Sequence, residues 1–188
     1  MKPRVLIDVD GVLADFLSPS LSFLDHEFGV KVDPLTFPTW DLFETIDRRY
    51  LVAVETHWAQ PGWCRAIPVY EGAQDAVMAL REVADVYFVT AQMLHAPYWM
   101  WERVQWLKEH FSAEDRHIVL TLAKYLIEGD VLIDDKPSNV RSWAAAHPTK
   151  QGVLWTQPYN ANHVPSENVV RCGSWAEVQA LVGKLVQH

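Results

Sequence analysis

Positive charge, cysteine and long apolar runs are all scarce in this chain. Lys and Arg number 16 against 24 Asp and Glu, a formal net charge of -8. That balance argues against holding a nucleic-acid duplex by neutralising its phosphates, although a local cluster of positive charge can still hold a small anion. The two cysteines, Cys64 and Cys172, lie far apart with no paired spacing. Neither a disulfide framework nor a zinc site is suggested, and buried or idle thiols in a reducing cytoplasm are the simpler expectation. No stretch approaches a membrane span, and Asp8 and Asp10 interrupt the N-terminal apolar run long before a signal-peptide core could form. A soluble cytoplasmic protein with no membrane partner is expected. The eight histidines show no H-E-x-x-H or other ligand spacing.

What is present is enough apolar material, 49% of 188 residues, to fill one compact α/β domain plus a small insertion. Short apolar runs alternate with amphipathic stretches, the pattern of a doubly wound, mostly parallel, Rossmann-like sheet with helices on both faces. Five runs predict strands: Arg4 to Val9, Val86 to Thr90, His117 to Leu120, Val131 to Ile133 and Gly152 to Trp155. Leu17, Leu21, Leu24 and Phe28 fall at helical spacing after the first, and Met100, Val104, Leu107 and Phe111 after the second. Ser174 and Glu177 form a capping pattern ahead of Val178, Leu181, Val182 and Leu185, predicting a docked C-terminal helix. Residues 30–68 break the alternation. They carry Pro34, Pro38, Pro61 and Pro68 among Phe37, Trp40, Tyr50, Trp58 and Trp63, and exceed the about 2 to 6 residues of an ordinary βα connection. The expectation is a small cap, helical around Asp47 to Trp58, inserted into a core of residues 1–29 and 69–188.

The first strand ends in two carboxylates, Asp8 and Asp10, followed by Gly11. Strand period two lets both project the same way, toward the crevice beyond the carboxyl ends of parallel strands where such folds bind ligands. Gly11 allows the backbone to turn closely around a bound phosphate; the competing reading is an ordinary turn rich in Asp and Gly. A second pair, Asp134 and Asp135, ends the fourth run. Adjacent carboxylates repel unless a cation or proton relieves them, so a hard divalent metal is the natural partner and Mg²⁺ the simplest choice. Asp130 sits at the opposite end of that strand and reads as a turn residue. Thr90 ends the second strand, where its hydroxyl suits a phosphate oxygen, and Lys124 follows the third, where an ammonium suits a phosphoryl group among aspartates. Taken singly, these two read as a helix cap and a solvated lysine. The four features together, each just after a predicted strand, carry the weight.

With those motifs in view, the sequence resembles the haloacid dehalogenase superfamily and, within it, the 5'(3')-deoxyribonucleotidases. The resemblance rests on Asp8 to Phe16, Pro61-Gly62-Trp63, Pro97-Tyr98, Ile118 to Thr121 and Leu132 to Pro137. It implies a Mg²⁺-dependent phosphomonoesterase that works through an aspartyl phosphate on a (deoxy)nucleoside monophosphate. Asp8 is then the nucleophile, Asp10 the acid/base, and Thr90 and Lys124 phosphate contacts. The metal site comprises Asp8, Asp134, Asp135 and the backbone carbonyl of Asp10. Phe16 resembles the aromatic that lines the base pocket, and Trp63 offers a second flat face. Ala91, Met100 and Leu122 depart from the family, each standing where a polar donor is usual. A phosphatase for another small phosphate ester is the near alternative, a homodimer stays open, and a phospho-receiver is disfavoured by the order of its motifs.

Overall fold

The computed structural model describes residues 2–37, 39 and 42–186. Pro38 and Trp40 lie outside the described residues. Strands β1 (Arg4–Ile7), β2 (Asp85–Thr90), β3 (Ile118–Leu120), β4 (Val131–Asp134), β5 (Gln151–Trp155) and β6 (Val169–Cys172) form one sheet in the order β3-β2-β1-β4-β5-β6. Every pairing is parallel. The chain runs outward from β1 through β2 to β3, then returns to the other side of β1 with β4. That reversal puts a crevice at the carboxyl ends of β1, β2 and β4.

Central strands buried on both faces read as continuous apolar runs, and period two sorts their side chains. Val5, Ile7, Val86, Phe88, Val131 and Ile133 point into the larger core. It is covered by helices α1 (Leu17–Phe28), α2 (Leu42–Thr45), α3 (Leu51–Trp58), α4 (Ala73–Val83), α5 (Trp99–Phe111) and, beyond the sheet, α7 (Trp175–Val186). Leu6, Val89 and Leu132 point the other way, toward Trp143 of α6 (Pro137–Ala146). α1 stops at Gly29, whose left-handed φ of 65° lets its own N–H cap the Asp25 carbonyl and the following Val30 N–H cap that of Leu24. At α7, Glu177 reaches back to the Gly173 N–H at 2.7 Å while Ser174 accepts from the Glu177 N–H at 3.4 Å. The capping pattern therefore closes one residue further back than an ideal box.

β1 stops at Ile7, two residues earlier than its apolar run, because the Val9 carbonyl accepts from Val12, Leu13 and Ala14 and curls the chain into a turn. The α5 helix is present and buries Leu107 and Phe111 as expected, but its first two turns face inward with other residues and leave Val104 half-buried. Trp99, Arg103, Trp106 and Leu107 are buried while Met100 is exposed. Residues 30–72 between α1 and α4 carry α2, α3 and short 3-10 turns, with Asp47 accepting from the Arg49 N–H at 3.0 Å ahead of α3.

Asp130 lies at the amino end of the sheet, accepting from the Arg4 N–H at 2.8 Å and Lys150 Nζ at 2.6 Å. Partial burial alone would raise its pKa, but the hydrogen bonds from Lys150 and the Arg4 amide outweigh it and hold the carboxyl below its usual value. A folded-state pKa below the unfolded one adds stability above the unfolded pKa, lost as pH falls through the folded one. We expect Asp130→Asn to be less stable than the parent at neutral pH. The gap between their denaturant unfolding curves should close as pH drops below the ordinary carboxylate range; a gap independent of pH would contradict the assignment.

Candidate active site

The turn after β1 sets the two leading carboxylates. The Asp8 N–H still bonds the Ile133 carbonyl of β4 at 2.9 Å, so its side chain leaves the sheet edge at a fixed height. Gly11 follows with φ 79°, and a Cβ there would collide with the Asp135 carboxylate and stand 2.7 Å from the Tyr159 hydroxyl. Only glycine permits this approach of the first turn to the second acidic pair. The Gly11 carbonyl is held from the far side by Gln157 Nε2 at 2.7 Å.

Lys124 opens the 3-10 turn Lys124–Leu126 and is buried. Its ammonium bridges Asp8 Oδ1 at 2.6 Å and Asp134 Oδ2 at 2.7 Å. Asp134 is also fixed by the Lys136 N–H at 2.8 Å and by Asn139 Nδ2. Asp135 accepts from the Tyr159 hydroxyl, while Asn160 Nδ2 ties the Asp135 carbonyl to the Trp155 carbonyl at 2.7 and 2.8 Å. On the other flank Asp10 is paired with Arg103, Nη2 to Oδ1 at 2.5 Å.

Negative charge is in excess. Burial, reinforced by Asp134, pushes the Asp8 carboxyl well above its ordinary range in spite of Lys124. Asp135 rises to about 7 from burial and from Asp134, with the Tyr159 hydrogen bond opposing. Burial raises Asp10 too, against the pull of Arg103 and Lys124. Burial disfavours the Lys124 ammonium, but Asp134 and Asp8 more than offset it and its pKa is raised, so it stays charged at neutral pH. Oxygens of Asp8, Asp134 and Asp135 lie within 4.8 Å of one another, and all three residues are buried. A donor set of carboxylate oxygens alone fits a hard divalent cation and does not suit zinc.

These groups border a cavity of about 540 Å³. Asp8, Asp10, Gly11, Lys124 and Asp135 supply polar lining, and Phe16, Leu17, Trp58, Met93 and Trp99 apolar lining. Thr90 is fully buried at the end of β2, and its Oγ1 has no hydrogen-bond partner among the described residues. An orphaned hydroxyl beside the cavity's Ala91 fits an anion's oxygen, since a buried polar group left unmatched costs about 1 to 3 kcal/mol.

The structure thus brings Asp8, Asp10, Gly11, Lys124, Asp134 and Asp135 together at one sheet edge, with Thr90 ending the neighbouring strand and Phe16 in the lining. Trp63 is placed differently. It stacks on Trp99 at 5.7 Å and meets the edge of Phe16 at 5.4 Å, so it backs the cavity while Trp58 and Trp99 take its surface. Of the three departures, Ala91 and Leu122 line the cavity and Met100 does not. Asp15 accepts from the Ser18 N–H at 3.1 Å, a cap of α1. Arg103, Tyr159 and Trp99 were not among the sequence candidates. For Arg103 a signal existed: Trp99, Arg103 and Trp106 share one helical face.

Residues 2–187 match the family described as "5' nucleotidase, deoxy (Pyrimidine), cytosolic type C protein". The chain belongs to this family. Among its relatives, the mitochondrial 5'(3')-deoxyribonucleotidase of Mus musculus is 32% identical over 191 residues, covering 93% of this chain and 82% of that protein. This chain shares its fold with a haloacid dehalogenase-like hydrolase of Streptococcus pneumoniae, TM-score 0.61 at 14% identity over 96% of this chain and 98% of that one. A haloacid dehalogenase-type protein of Bacillus subtilis, whose structure holds magnesium, aligns with TM-score 0.56 at 15% identity over 96% and 98%.

Proposed function

We propose that the chain is a Mg²⁺-dependent 5'(3')-deoxyribonucleotidase that hydrolyses deoxyribonucleoside monophosphates through an aspartyl phosphate on Asp8. The observation that carries this reading is the composition of one cavity: Asp8 and Asp10 share it with Lys124 and with the aromatic faces of Phe16, Trp58 and Trp99. Family membership and the name of the mouse relative support the substrate class.

Asp8 attacks phosphorus and the ester P–O bond breaks, while Asp10 gives its proton to the departing alkoxide. Asp10 then takes a proton from the water that attacks the aspartyl phosphate, freeing Asp8 and inorganic phosphate. Lys124 and the Thr90 hydroxyl hold the equatorial oxygens. Asp8, Asp134, Asp135 and the Asp10 carbonyl would hold Mg²⁺, which when bound offsets the negative charge of nucleophile and phosphate. The magnesium carried by the Bacillus subtilis protein supports that choice of ion. Residues 30–68 act as a cap whose Trp58 closes over the base, and the buried free thiols Cys64 and Cys172 suit a cytoplasmic location.

A base stacked on an aromatic face contributes about 1 to 3 kcal/mol, so Phe16→Ala should raise KM for nucleotides by about 5- to 150-fold. KM for a nitrophenyl phosphate should stay near the parent value. The test compares kcat/KM for deoxyuridine, thymidine and uridine monophosphates, a sugar phosphate and the aryl ester, in parent and variant. Because Ala91 and Leu122 line the cavity where polar donors are usual, selectivity among the nucleotides should be loose. A sugar phosphate that outruns every nucleotide would replace this reading with that of a phosphatase for another small ester.

A further inference from the structure

Arg103 is the largest buried charge that the hydrolytic scheme leaves unused. It is 0% exposed, and its guanidinium lies 5.0 Å from the ring centroid of Trp99 and 5.1 Å from that of Trp106. Nη2 donates to Asp10 Oδ1, but Nε and Nη1 have no partner among the described residues. A buried cation with donors unsatisfied is costly, and an apolar side chain between two tryptophans would serve packing alone better. The neighbouring buried charge, Glu102, poses no such question, because it accepts the Gly62 N–H at 2.5 Å and pins the return of residues 30–68 to α5.

Asp10 has one oxygen engaged and one free. Its side chain is 28% exposed and borders the cavity, and Oδ2 accepts no hydrogen bond among the described residues. A carboxyl that must pass a proton to a leaving oxygen has to present a defined oxygen in a defined direction. Misplacement by about 1 Å is enough to cost on the order of 100-fold. A lone carboxylate at the mouth of a turn has no such definition, since its terminal torsion is broad.

We propose that Arg103 is a positioning residue for Asp10: it clamps Oδ1 and so leaves Oδ2 as the oxygen that delivers the proton to the leaving group. The two tryptophans hold the guanidinium plane and prevent it from following the substrate's phosphate. Arg103 acts only through Asp10, and the proposal rests on the acid/base reading of Asp10 given above.

The test reads release of the leaving group in a single turnover, which isolates the first step from hydrolysis of the aspartyl phosphate. Two substrates are used: a nucleoside monophosphate, whose alkoxide needs a proton, and a nitrophenyl phosphate, whose leaving group does not. Arg103→Met should slow release from the nucleotide by about 10- to 100-fold, with half-saturation changed by less than about 3-fold. Release from the aryl ester should change by less than about 3-fold. Arg103→Lys, which keeps a cation and protects the test if the methionine variant misfolds, should show the same split with a smaller loss. Equal losses on both substrates in Arg103→Lys, or in a folded Arg103→Met, would make the residue structural and overturn the proposal. Asp10→Asn separates the role of Arg103 from that of Asp10. It should show the split by itself, and adding Arg103→Met should deepen it by less than about 3-fold, since both act through one group. A full additional loss in the double variant overturns the positioning role alone, whereas no split in Asp10→Asn overturns the assignment of Asp10 and the proposal with it.

Discussion

Asp8→Asn should lower turnover of a nucleoside monophosphate by at least about 10⁴-fold while leaving the protein as stable as the parent, or more so, in chelator. The two halves of this expectation come from the same contacts. The amide keeps the carboxylate's shape and can still accept the Val9 N–H, which bonds Asp8 Oδ1 at 2.7 Å. It removes the attacking charge, so no aspartyl phosphate forms. It also removes a buried anion that Asp134 and Asp135 repel and whose protonation burial favours. Lys124 keeps its bond to Asp134 at 2.7 Å, so the ammonium is not left alone. Steady-state kinetics and thermal unfolding, each with Mg²⁺ and with EDTA, check both halves. Mg²⁺ should raise the parent's Tm more than the variant's, and chelation should abolish the parent's turnover. Near-parental activity in Asp8→Asn would remove the covalent mechanism, and EDTA-resistant turnover would remove the metal.

Much of this architecture was legible because its signals are local. Apolar runs ending in Asp8, Thr90 and Asp134 mark strands whose side chains are buried on both faces, and residues at strand ends are delivered to one edge by parallel topology. The parallel α/β fold follows from that alternation. What the sequence hid is what depends on packing between distant segments. β6 is a four-residue edge strand, Val169–Cys172, too short to stand out from loop. α6 begins at Pro137 directly after the acidic motif, with its one large buried residue, Trp143, serving the opposite face of the sheet. The inward placement of Trp99, Arg103 and Trp106 on α5 has a plain cause. Met100 and Val104 are apolar, yet the larger rings of Trp99 and Trp106 bury more surface and take Arg103 inward with them. Trp63 and Trp99 are equivalent as flat faces in a sequence. Only the stacking of one on the other decides which of them meets the cavity.

Lys124→Met should be the variant in which activity and stability fall together, and in which metal restores the second but not the first. Lys124 pairs with both Asp8 and Asp134, at 2.6 and 2.7 Å, and those carboxylates and Asp135 are buried within 4.8 Å of one another. Removing one partner of a buried ion pair costs about 3 to 5 kcal/mol, because the other partner is left uncompensated. Methionine fills the space without the charge, so the loss reports electrostatics and not a cavity. In EDTA the unfolding free energy should fall by about that amount. Saturating Mg²⁺ supplies countercharge to the same carboxylates and should recover most of it, giving the variant a larger metal-induced shift in Tm than the parent. Turnover should stay about 100-fold or more below the parent even with Mg²⁺, since the ammonium also faces the transferring phosphoryl group. Denaturant titrations with and without Mg²⁺, run beside kcat measurements, separate the two effects. Full recovery of turnover by Mg²⁺ would mean that Lys124 only neutralises the resting carboxylates. Stability unchanged in EDTA would mean that the bridge between Asp8 and Asp134 contributes nothing net to the fold.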